Sequence, residues 1–547
     1  MVELKGIHLT TPALDGIQHP DTLTKPQAVR GWVDNLPYAN PPRLAQETLA
    51  SLKLLNRHPK KIPQRAHIMM IYMDLFRKIT DMARRVICQN NDNRVANKNN
   101  QDLITLAEAI SSEMAYGFKH IINSELSSET KVTPIKRAEH IHLAIMCLSS
   151  GLILNMAAYR PESRTAWREI FQLLAMAQQL GVATQEITNA TADSGHEVSV
   201  LNSFKSILLT SILDPSRLTP REIWGAYDYL SWHGKNSRIT SVEQASQHSG
   251  NYLIARDGVI KPTLFNPEKP PQAPGKHMIL ETHGINIHIS KHLDVLSEDS
   301  SALIRGSEKL NPGIKIHLLR QMLHIWHTNP KRRSARKEKF DRIACAFGVD
   351  SVYQFLKQGN MHRKPTQESE TGIEEDIEID IDNIGTDLAD SHKTYECRQE
   401  NVSSGGMMII SSDQKIAKLK IGQIVITESL IDETAHTLKI GVVRRISNSS
   451  HNATEFGVQF IPGRLFAATA LPEIVGRKHG VALQPCVVLE LGENNPKALI
   501  MPNLTYQADR HYVLDINNSN TNRVIAGKLL ESTACFDCFE YNVLKHC

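Results

Sequence analysis

Between residues 41 and 233, apolar side chains recur at intervals of three and four residues. In one segment they place six residues on one stripe of a helix: Ile68, Ile71, Tyr72, Leu75, Phe76 and Ile79. A capping threonine, a proline and a glutamate at Thr219, Pro220 and Glu222 mark the start of another helix. The periodicity predicts helices near 43–55, 63–88, 102–124, 135–158, 163–180, 196–213 and 220–233. This region is therefore expected to be an all-α helical bundle.

The pattern changes after the bundle. Residues 251–260 and 284–290 form short extended runs, and the proline-rich residues 266–275 between them cannot continue a helix. A helix is predicted from Gly313 to His327, and a short one at residues 348–357. We interpret residues 239–328 as an α/β connector.

From about Tyr395 the hydrophobic period becomes two. β-rich runs at 404–410, 422–430, 436–446 and 454–461 are bounded by Gly, Asn, Ser and Asp, which is typical of a small antiparallel barrel. Further β-rich runs follow from about Gly480 and predict a second small barrel-like unit. The chain is thus expected to be an α+β multidomain protein.

Composition narrows the function classes. A net charge of +4 over 547 residues is too small to imply wholesale binding to nucleic acid or to an anionic membrane. Eight cysteines, scattered and often in apolar stretches, indicate reduced thiols. The first thirty residues do not resemble a secretory signal, and the apolar stretch from Leu143 to Tyr159 is too polar and short for a membrane span. We expect a cytoplasmic protein without membrane insertion.

Two motifs carry candidate chemistry. Residues 331–342 hold seven Lys or Arg against two acidic residues, with Arg332, Arg333 and Arg336 at their start. Guanidinium groups bind phosphate oxygens bidentately, match the N7 and O6 acceptors of guanine, and stack on bases. At residues 401–406, Asn401 and Ser403 offer hydrogen-bonding groups, while Gly405 and Gly406 permit positive φ or a close backbone approach. Together the motifs suit a phosphate-rich, guanine-containing ligand.

An arginine pair spaced by three residues, followed by Asn-x-Ser-x-x-Gly at a barrel strand, resembles the signature of PilZ domains. Residues 420–426 and 441–463 are similar to later strands of that family, and the helical front half resembles that of large multidomain PilZ-containing bacterial proteins. The resemblance implies a six-stranded antiparallel β-barrel. It also implies a binding site for the bacterial messenger cyclic di-GMP, with these ligand-binding residues: Arg332, Arg333, Arg336, Asn401, Ser403 and Gly406.

The spacing between the motifs is wider than the family commonly uses. The excess contains the short helix at 348–357 and an acidic low-complexity linker at 366–392, an insertion that loop entropy tolerates at about 0.6 kcal/mol per doubling of length. The expected organisation comprises a tail (1–30), a helical domain (31–238), the connector (239–328), a PilZ-like barrel domain (329–465) and a C-terminal β domain (466–547).

Other residues have simpler interpretations. His283, His288 and His292, and separately His317, His324 and His327, lack carboxylates at ligand spacing, so we predict no metal site and assign them to polar surface or core. Cys535 and Cys538 form a lone CxxC pair without a second pair for zinc. Arg444 and Arg445 are interpreted as exposed strand residues.

No Walker loop, GxSxG elbow, HExxH motif, or GGDEF-like or EAL-like signature is present. We therefore expect no catalytic residues, no catalytic cofactor and no enzyme activity.

The resulting hypothesis is a bacterial cyclic di-GMP receptor that converts messenger binding into a conformational change and an altered protein–protein interaction. The alternative is a ligand-independent scaffold that docks partners through its helical domain. Binding to nucleic acid is disfavoured by the near-neutral charge. The sequence leaves the protein partner and the oligomeric state open, a homo-oligomer included.

Overall fold

The structure is a computed structural model that describes residues 7, 9–15, 19, 22–88, 98–127, 132–188, 197–248, 250–258, 262–327, 335–358, 394–413, 416, 419–430, 438–448, 453–473, 483–490, 497–516 and 520–544. The chain divides into two compact units, residues 1–331 and residues 332–547. The acidic linker at 366–392 lies outside the described residues.

The first unit is mainly helical. Its α-helices are α1 (Pro26–Asp34), α2 (Pro41–Arg57), α3 (Ile62–Cys88), α4 (Lys98–Ser127), α5 (Pro134–Ala157), α6 (Arg164–Gln179), α7 (Val200–Ser211), α8 (Pro220–His233), α9 (His283–Glu298) and α10 (Pro312–His327). Short 3-10 turns occur at Pro215–Arg217, Gly234–Asn236, Val242–Gln244 and Pro274–Lys276. Helices α2 to α8 confirm the predicted bundle, and α1 is a helix that the periodicity did not predict.

Helix α5 lies at the centre of this unit, in contact with α4, α6, α7 and α8. Among the described helices it alone is long and apolar enough to cross a membrane, yet 83% of its most apolar stretch is buried inside the unit. Its side chains belong to the hydrophobic core together with those of the surrounding helices. The segment is a core helix, as its interrupting polar residues predicted.

Local sequence signals fix the neighbouring helices. On α3, the predicted stripe is buried at Ile68, Tyr72 and Phe76, so the helix packs this face against the core. At the start of α8, the Glu222 backbone N–H donates to Thr219 Oγ1 at 3.3 Å, and Thr219 N–H donates to Glu222 Oε2 at 2.8 Å. These two bonds are the predicted capping box, which satisfies donors that the first helical turn leaves unpaired.

Two small antiparallel sheets complete the first unit. One pairs β1 (Ile187–Thr188) with β2 (Glu197–Val198); the other has the order β3-β6-β4-β5 and is built from β3 (Arg238–Thr240), β4 (Asn251–Ala255), β5 (Thr263–Leu264) and β6 (His277–Glu281). The extended conformation predicted for residues 284–290 is wrong, because these residues lie in α9. Alternating isoleucines imitate a strand over five residues, whereas the burial of Ile285, Ile289 and Leu296 follows a helical spacing.

The second unit begins with a closed barrel. Its elements are β7 (Lys337–Glu338), β8 (Arg342–Phe347), α11 (Val349–Gln358), β9 (Tyr395–Ser403), β10 (Gly406–Ser411), β11 (Ile424–Ser429), β12 (Lys439–Asn448) and β13 (Thr454–Phe460). The ring runs β8-β9-β10-β13-β12-β11 and closes between β11 and β8. Strand β7 pairs with β9 beyond the end of β8. The predicted six-stranded antiparallel barrel is confirmed.

A second closed barrel follows. It contains β14 (Arg464–Pro472), β15 (Gln484–Glu490), β16 (Lys497–Pro502), β17 (His511–Ile516), β18 (Asn520–Ser532) and β19 (Phe536–Val543), in the order β14-β15-β16-β19-β18-β17. Pairing of β14 with β17 closes the ring. The sequence predicted a barrel-like unit here but not β14 or β19, the strands on which closure depends.

The two barrels share a hydrophobic core. Helix α11 packs between them, and the core includes Val352 and Phe355 of α11, Ile426 and Val442 of the first barrel, and Leu489, Ile500 and Phe536 of the second. Thr533 Oγ1 also donates to the carbonyl of Gly422 at 2.9 Å. Gly422 has φ +81°, and a Cβ there would lie 2.8 Å from Thr533 Cβ, so glycine is needed at this junction.

Candidate ligand-binding site

The Asn-x-Ser-x-x-Gly motif lies at a tight turn of the first barrel. Ser403 at the end of β9 pairs with Gly406 at the start of β10, so Ser404 and Gly405 form a two-residue connection. Both connecting residues are exposed. The backbone N–H of Phe460 donates to the Gly405 carbonyl at 3.0 Å and holds the turn against β13. The motif therefore presents an exposed, anchored turn.

Two residues of the motif have local structural roles. The Ser403 hydroxyl donates to the Gly406 carbonyl at 3.1 Å, which bridges the two ends of the turn. A Cβ on Gly406 would lie 2.2 Å from the Val458 carbonyl oxygen of β13. Gly406 does not have positive φ. Its lack of a side chain is therefore required by strand pairing in the barrel.

Asn401 supplies an unsatisfied acceptor beside this turn. Its Oδ1 atom is buried and accepts no hydrogen bond from the described residues. A buried amide oxygen without a donor costs about 1–3 kcal/mol, so native structures leave few of them. An N–H group of a ligand would satisfy this atom.

Strand β7 brings the arginine segment to the same place. Lys337 pairs with Val402, and Glu338 pairs with Asn401. Because the strands are antiparallel, Arg336 comes opposite Ser403 when this register is continued by one residue. Arg336 is exposed. Residues separated by the long insertion are thus adjacent in the barrel.

Of the predicted site residues, Asn401, Ser403 and Gly406 lie together at the turn, and Arg336 directly precedes β7, whose Lys337 pairs with Val402. Arg332 and Arg333 lie outside the described residues. The juxtaposition depends on β7, a two-residue strand with no hydrophobic alternation, which explains why periodicity alone could not predict it.

Sequence reasoning missed several residues on the segments that pair with the strands of this turn. Phe340, between β7 and β8, has 62% of its surface exposed. The Lys439 ammonium lies 5.1 Å from the centroid of the Phe460 ring. Partial burial, reinforced by the nearby Lys339 ammonium, lowers the pKa of Lys439. An aromatic residue inside a basic run was the available signal for Phe340, because exposed rings beside cations are typical of nucleotide sites.

Arg444 connects the site region to the second barrel. Its Nε donates to Gln459 Oε1 at 2.9 Å, and its Nη1 lies 2.6 Å from Glu531 Oε1 of β18. Gln459 is the backbone partner of Gly406. The neighbouring Arg445 is exposed, as predicted. Arg444 is instead partly buried and held by side chains from both barrels.

Burial shifts the pKa of both thiols in the cysteine pair near the C-terminal end. Burial raises the pKa of Cys535, and it raises the pKa of Cys538 to about 12. A raised pKa disfavours the thiolate, which is the form of cysteine that acts as a nucleophile and metal ligand. The described cysteines are all free.

Histidines that are close together in the sequence have different partners in the structure. His283 stacks on His248 with ring centroids 4.0 Å apart, whereas His288 and His292 meet His233. His317 Nδ1 lies 2.7 Å from Glu222 Oε1.

Chemically, the turn region offers cations, an exposed aromatic ring, a serine hydroxyl and a buried amide acceptor. Such a set binds a ligand with anionic groups, hydrogen-bond donors and flat rings. Comparison with known families agrees with this class. The PilZ domain family matches residues 383–470, and the family described as cyclic-di-GMP receptor FimW, N-terminal domain, matches residues 27–244. By these two matches the chain resembles PilZ-domain cyclic di-GMP receptors.

The PilZ match begins after β8, so the structure adds to the barrel a strand that precedes the insertion. The chain is also similar to one particular protein, the cyclic-di-GMP receptor FimW of Pseudomonas aeruginosa. The two are 19% identical over 583 aligned positions, which cover 98% of this chain and 93% of the relative. The names of this relative and of the N-terminal family denote a receptor, which is a class of binding protein.

Proposed function

We propose that this chain is a cytoplasmic bacterial receptor that binds cyclic di-GMP at the Asn401–Gly406 turn of its first barrel. Arg332, Arg333 and Arg336 form the basic side of the site. The observation that supports this most strongly is the pairing of β7 with β9, because Lys337, the residue after Arg336, pairs with Val402 beside the turn. The receptor names of the relative and of the N-terminal family support the same ligand.

Each group in the site has a counterpart on the ligand, which carries two phosphates and two guanines. Guanidinium forks bind phosphate oxygens or the N7 and O6 edge of guanine. The buried Asn401 Oδ1 is an acceptor for a guanine N–H, and the exposed ring of Phe340 is a surface on which a base stacks.

Binding of the ligand changes the charge at the site, and through this change it alters the interaction with a protein partner. Ligand phosphates offset the positive charge of Arg332, Arg333 and Arg336, so these side chains close on the ligand at the turn in the bound state and change the surface offered to a protein partner. The shift is driven by contacts that only the closed state makes. We propose no catalytic role, because every group assigned to the site is a binding group.

Calorimetry on the full-length chain with cyclic di-GMP tests the proposal. We expect saturable binding at micromolar concentration or tighter, which Arg336→Ala weakens by about 1.5–3 kcal/mol, roughly tenfold or more. Arg332→Ala should act in the same direction. Arg342→Ala is the matched control: Arg342 belongs to the same basic segment, but it pairs with Glu396 on the exposed surface.

Three outcomes would contradict the proposal. No binding to the wild-type chain would favour the ligand-independent scaffold. Steeply salt-dependent binding to any polynucleotide would favour a nucleic-acid protein. Wild-type affinity in both the Arg332→Ala and Arg336→Ala variants would place the ligand elsewhere.

A further inference from the structure

Three histidines from two helices meet in the first unit. His233 ends α8, and His288 and His292 lie four residues apart on α9, so they share one face of that helix. The ring centroids are 4.3–4.9 Å apart. One ring nitrogen from each histidine lies within 4.8 Å of the other two. This spacing allows three nitrogens to reach one ion with small side-chain movements, since Zn–N bonds are about 2.0–2.1 Å long.

Surrounding groups orient two of the rings. His233 Nε2 lies 2.9 Å from the Arg305 carbonyl, which can only accept, so Nε2 carries the proton and Nδ1 presents a lone pair. The Tyr229 hydroxyl lies 2.9 Å from His292 Nδ1, which leaves Nε2 of that ring as the ligand atom. A histidine held through its second nitrogen by a carbonyl or hydroxyl is the usual arrangement at protein metal sites.

The third ring needs one proton relocation. His288 Nε2 lies 2.9 Å from His233 Nδ1, and it donates to that lone pair in the metal-free state. For Nε2 to bind an ion, its proton moves to Nδ1 of the same ring through solvent. The imidazole stays neutral and no net proton is released.

The environment favours neutral imidazoles. Burial lowers the pKa of His233 and of His292 to about 4. The nearby Lys235 and Lys291 ammonium groups oppose a bound cation. The cluster contains no carboxylate among the described residues. It therefore suits an ion that imidazole binds strongly, and it excludes Mg²⁺ and Ca²⁺, which need oxygen ligands.

We propose that His233, His288 and His292 form a three-histidine site for a divalent transition metal of the zinc class. The fourth position is taken by water or by a side chain of a partner. The ion joins α8, the last helix within the region matched by the FimW N-terminal family, to α9, which lies beyond that region. Its role is thus to fix the segment after the helical bundle onto it.

This proposal departs from the expectation of no metal site. That expectation grouped histidines that are close in sequence, and it included His283, which stacks elsewhere. The decisive third ligand, His233, lies on a different helix, and no spacing rule connects it with α9.

Titration of the chelator-treated full-length chain with Zn²⁺ tests the site. We expect one saturable equivalent in the wild-type chain, with affinity at least about tenfold lower in His288→Ala and in His292→Ala. The matched control is His283→Ala, on the same helix but outside the cluster, which should keep full affinity. Saturating Zn²⁺ should raise the unfolding temperature of the wild-type and control chains by at least about 3 °C, and of neither cluster variant.

A measurement on the wild-type chain avoids dependence on the folding of variants. Bound Co²⁺ should give the absorption spectrum of a nitrogen and oxygen ligand set, without a thiolate charge-transfer band. The proposal is overturned if no saturable Zn²⁺ binding is seen, if His288→Ala and His292→Ala bind like wild type, or if the thiolate band shows that cysteines hold the ion.

Discussion

Each barrel of the second unit closes six antiparallel strands, yet the two differ in how their buried polar groups are satisfied. In the second barrel, the buried Asp537 carboxylate accepts hydrogen bonds from the backbone of Thr505 and Tyr506 at 3.1 and 3.2 Å and from the Ser532 hydroxyl at 2.7 Å. In the first, Asn401 Oδ1 has no donor among the described residues. The two barrels thus share one architecture but hold different polar groups, and the second barrel also has buried oxygens, those of Gln484 and Asp515, without a partner among the described residues.

The second barrel also contributes apolar side chains to the core that it shares with the first barrel. The second barrel directs Leu489, Ile500 and Phe536 toward α11 and the first barrel. We infer that the second barrel supports the first, whose own turn keeps an energetically costly unpaired group. The following substitutions distinguish residues that stabilise the first barrel from residues that bind the ligand.

The largest effect is expected in the shared core. Phe536→Ala removes a side chain with 0% exposure and should lower the free energy of unfolding by about 3–5 kcal/mol, because it leaves a cavity. Denaturant unfolding measures this loss. Val543→Ala, on the same strand at 51% exposure, should change it by less than about 0.5 kcal/mol. Amide exchange should show lost protection in β11 and β12 as well; a loss confined to the second barrel would refute the supporting role.

The next effect distinguishes the two glycines of the turn. Gly406→Ala places a methyl group against the Val458 carbonyl and should destabilise the first barrel by about 1–3 kcal/mol. Gly405→Ala meets no atom within 4 Å and should be close to neutral. The unfolding midpoints of the two variants provide the comparison. Equal destabilisation would show that the turn, and not the contact between β10 and β13, sets the requirement.

A smaller effect, measured as a loss of affinity for cyclic di-GMP, is expected when the buried acceptor of Asn401 is removed. Asn401→Ala should weaken cyclic di-GMP binding by about 1–1.5 kcal/mol, roughly tenfold, without lowering the stability of the free chain, since Asn401 Oδ1 accepts no hydrogen bond from the described residues. Asp515 also has a buried oxygen to which no described residue donates, but it lies in the second barrel. Calorimetry should give unchanged affinity for Asp515→Ala. Equal losses in both variants would argue against a site at the turn.

The smallest effect concerns the link between the barrels. Arg444 and Glu531 form a partly exposed pair, so a double-mutant cycle with Arg444→Gln and Glu531→Gln should give a coupling of less than about 1 kcal/mol. If the coupling changes on addition of cyclic di-GMP, the pair transmits binding to the second barrel. An unchanged value would limit Arg444 to a structural contact.

The sequence predicted the structural features that depend on residues close together in the chain. The α3 stripe and the Thr219–Glu222 capping box appear as expected because each depends on residues within one or two helical turns. Strands β8, β14 and β19 could not be predicted from periodicity, because their conformation is stabilised by partners distant in sequence. The prediction of an extended conformation for residues 284–290 failed for a related reason. The short alternation of apolar and polar residues there was outweighed by the packing of the longer helix α9.

The candidate site divides in the same way. The residue types of the two motifs were recognisable, and the resemblance to PilZ domains supplied their expected ligand. Their contact could not be derived, since it depends on the register of β7 against β9 across the insertion. Phe340, Arg444 and His233 were missed because their importance arises only from neighbours that folding brings near.

Amide hydrogen exchange of the full-length chain, measured with and without cyclic di-GMP, tests the central claim most directly. We predict slower exchange in peptides covering residues 336–341 and 401–406, and unchanged exchange in the second-barrel strands β14–β17. Protection confined to the second barrel, or unchanged exchange at the turn under conditions where calorimetry shows saturation, would contradict the assignment of the ligand to the first barrel.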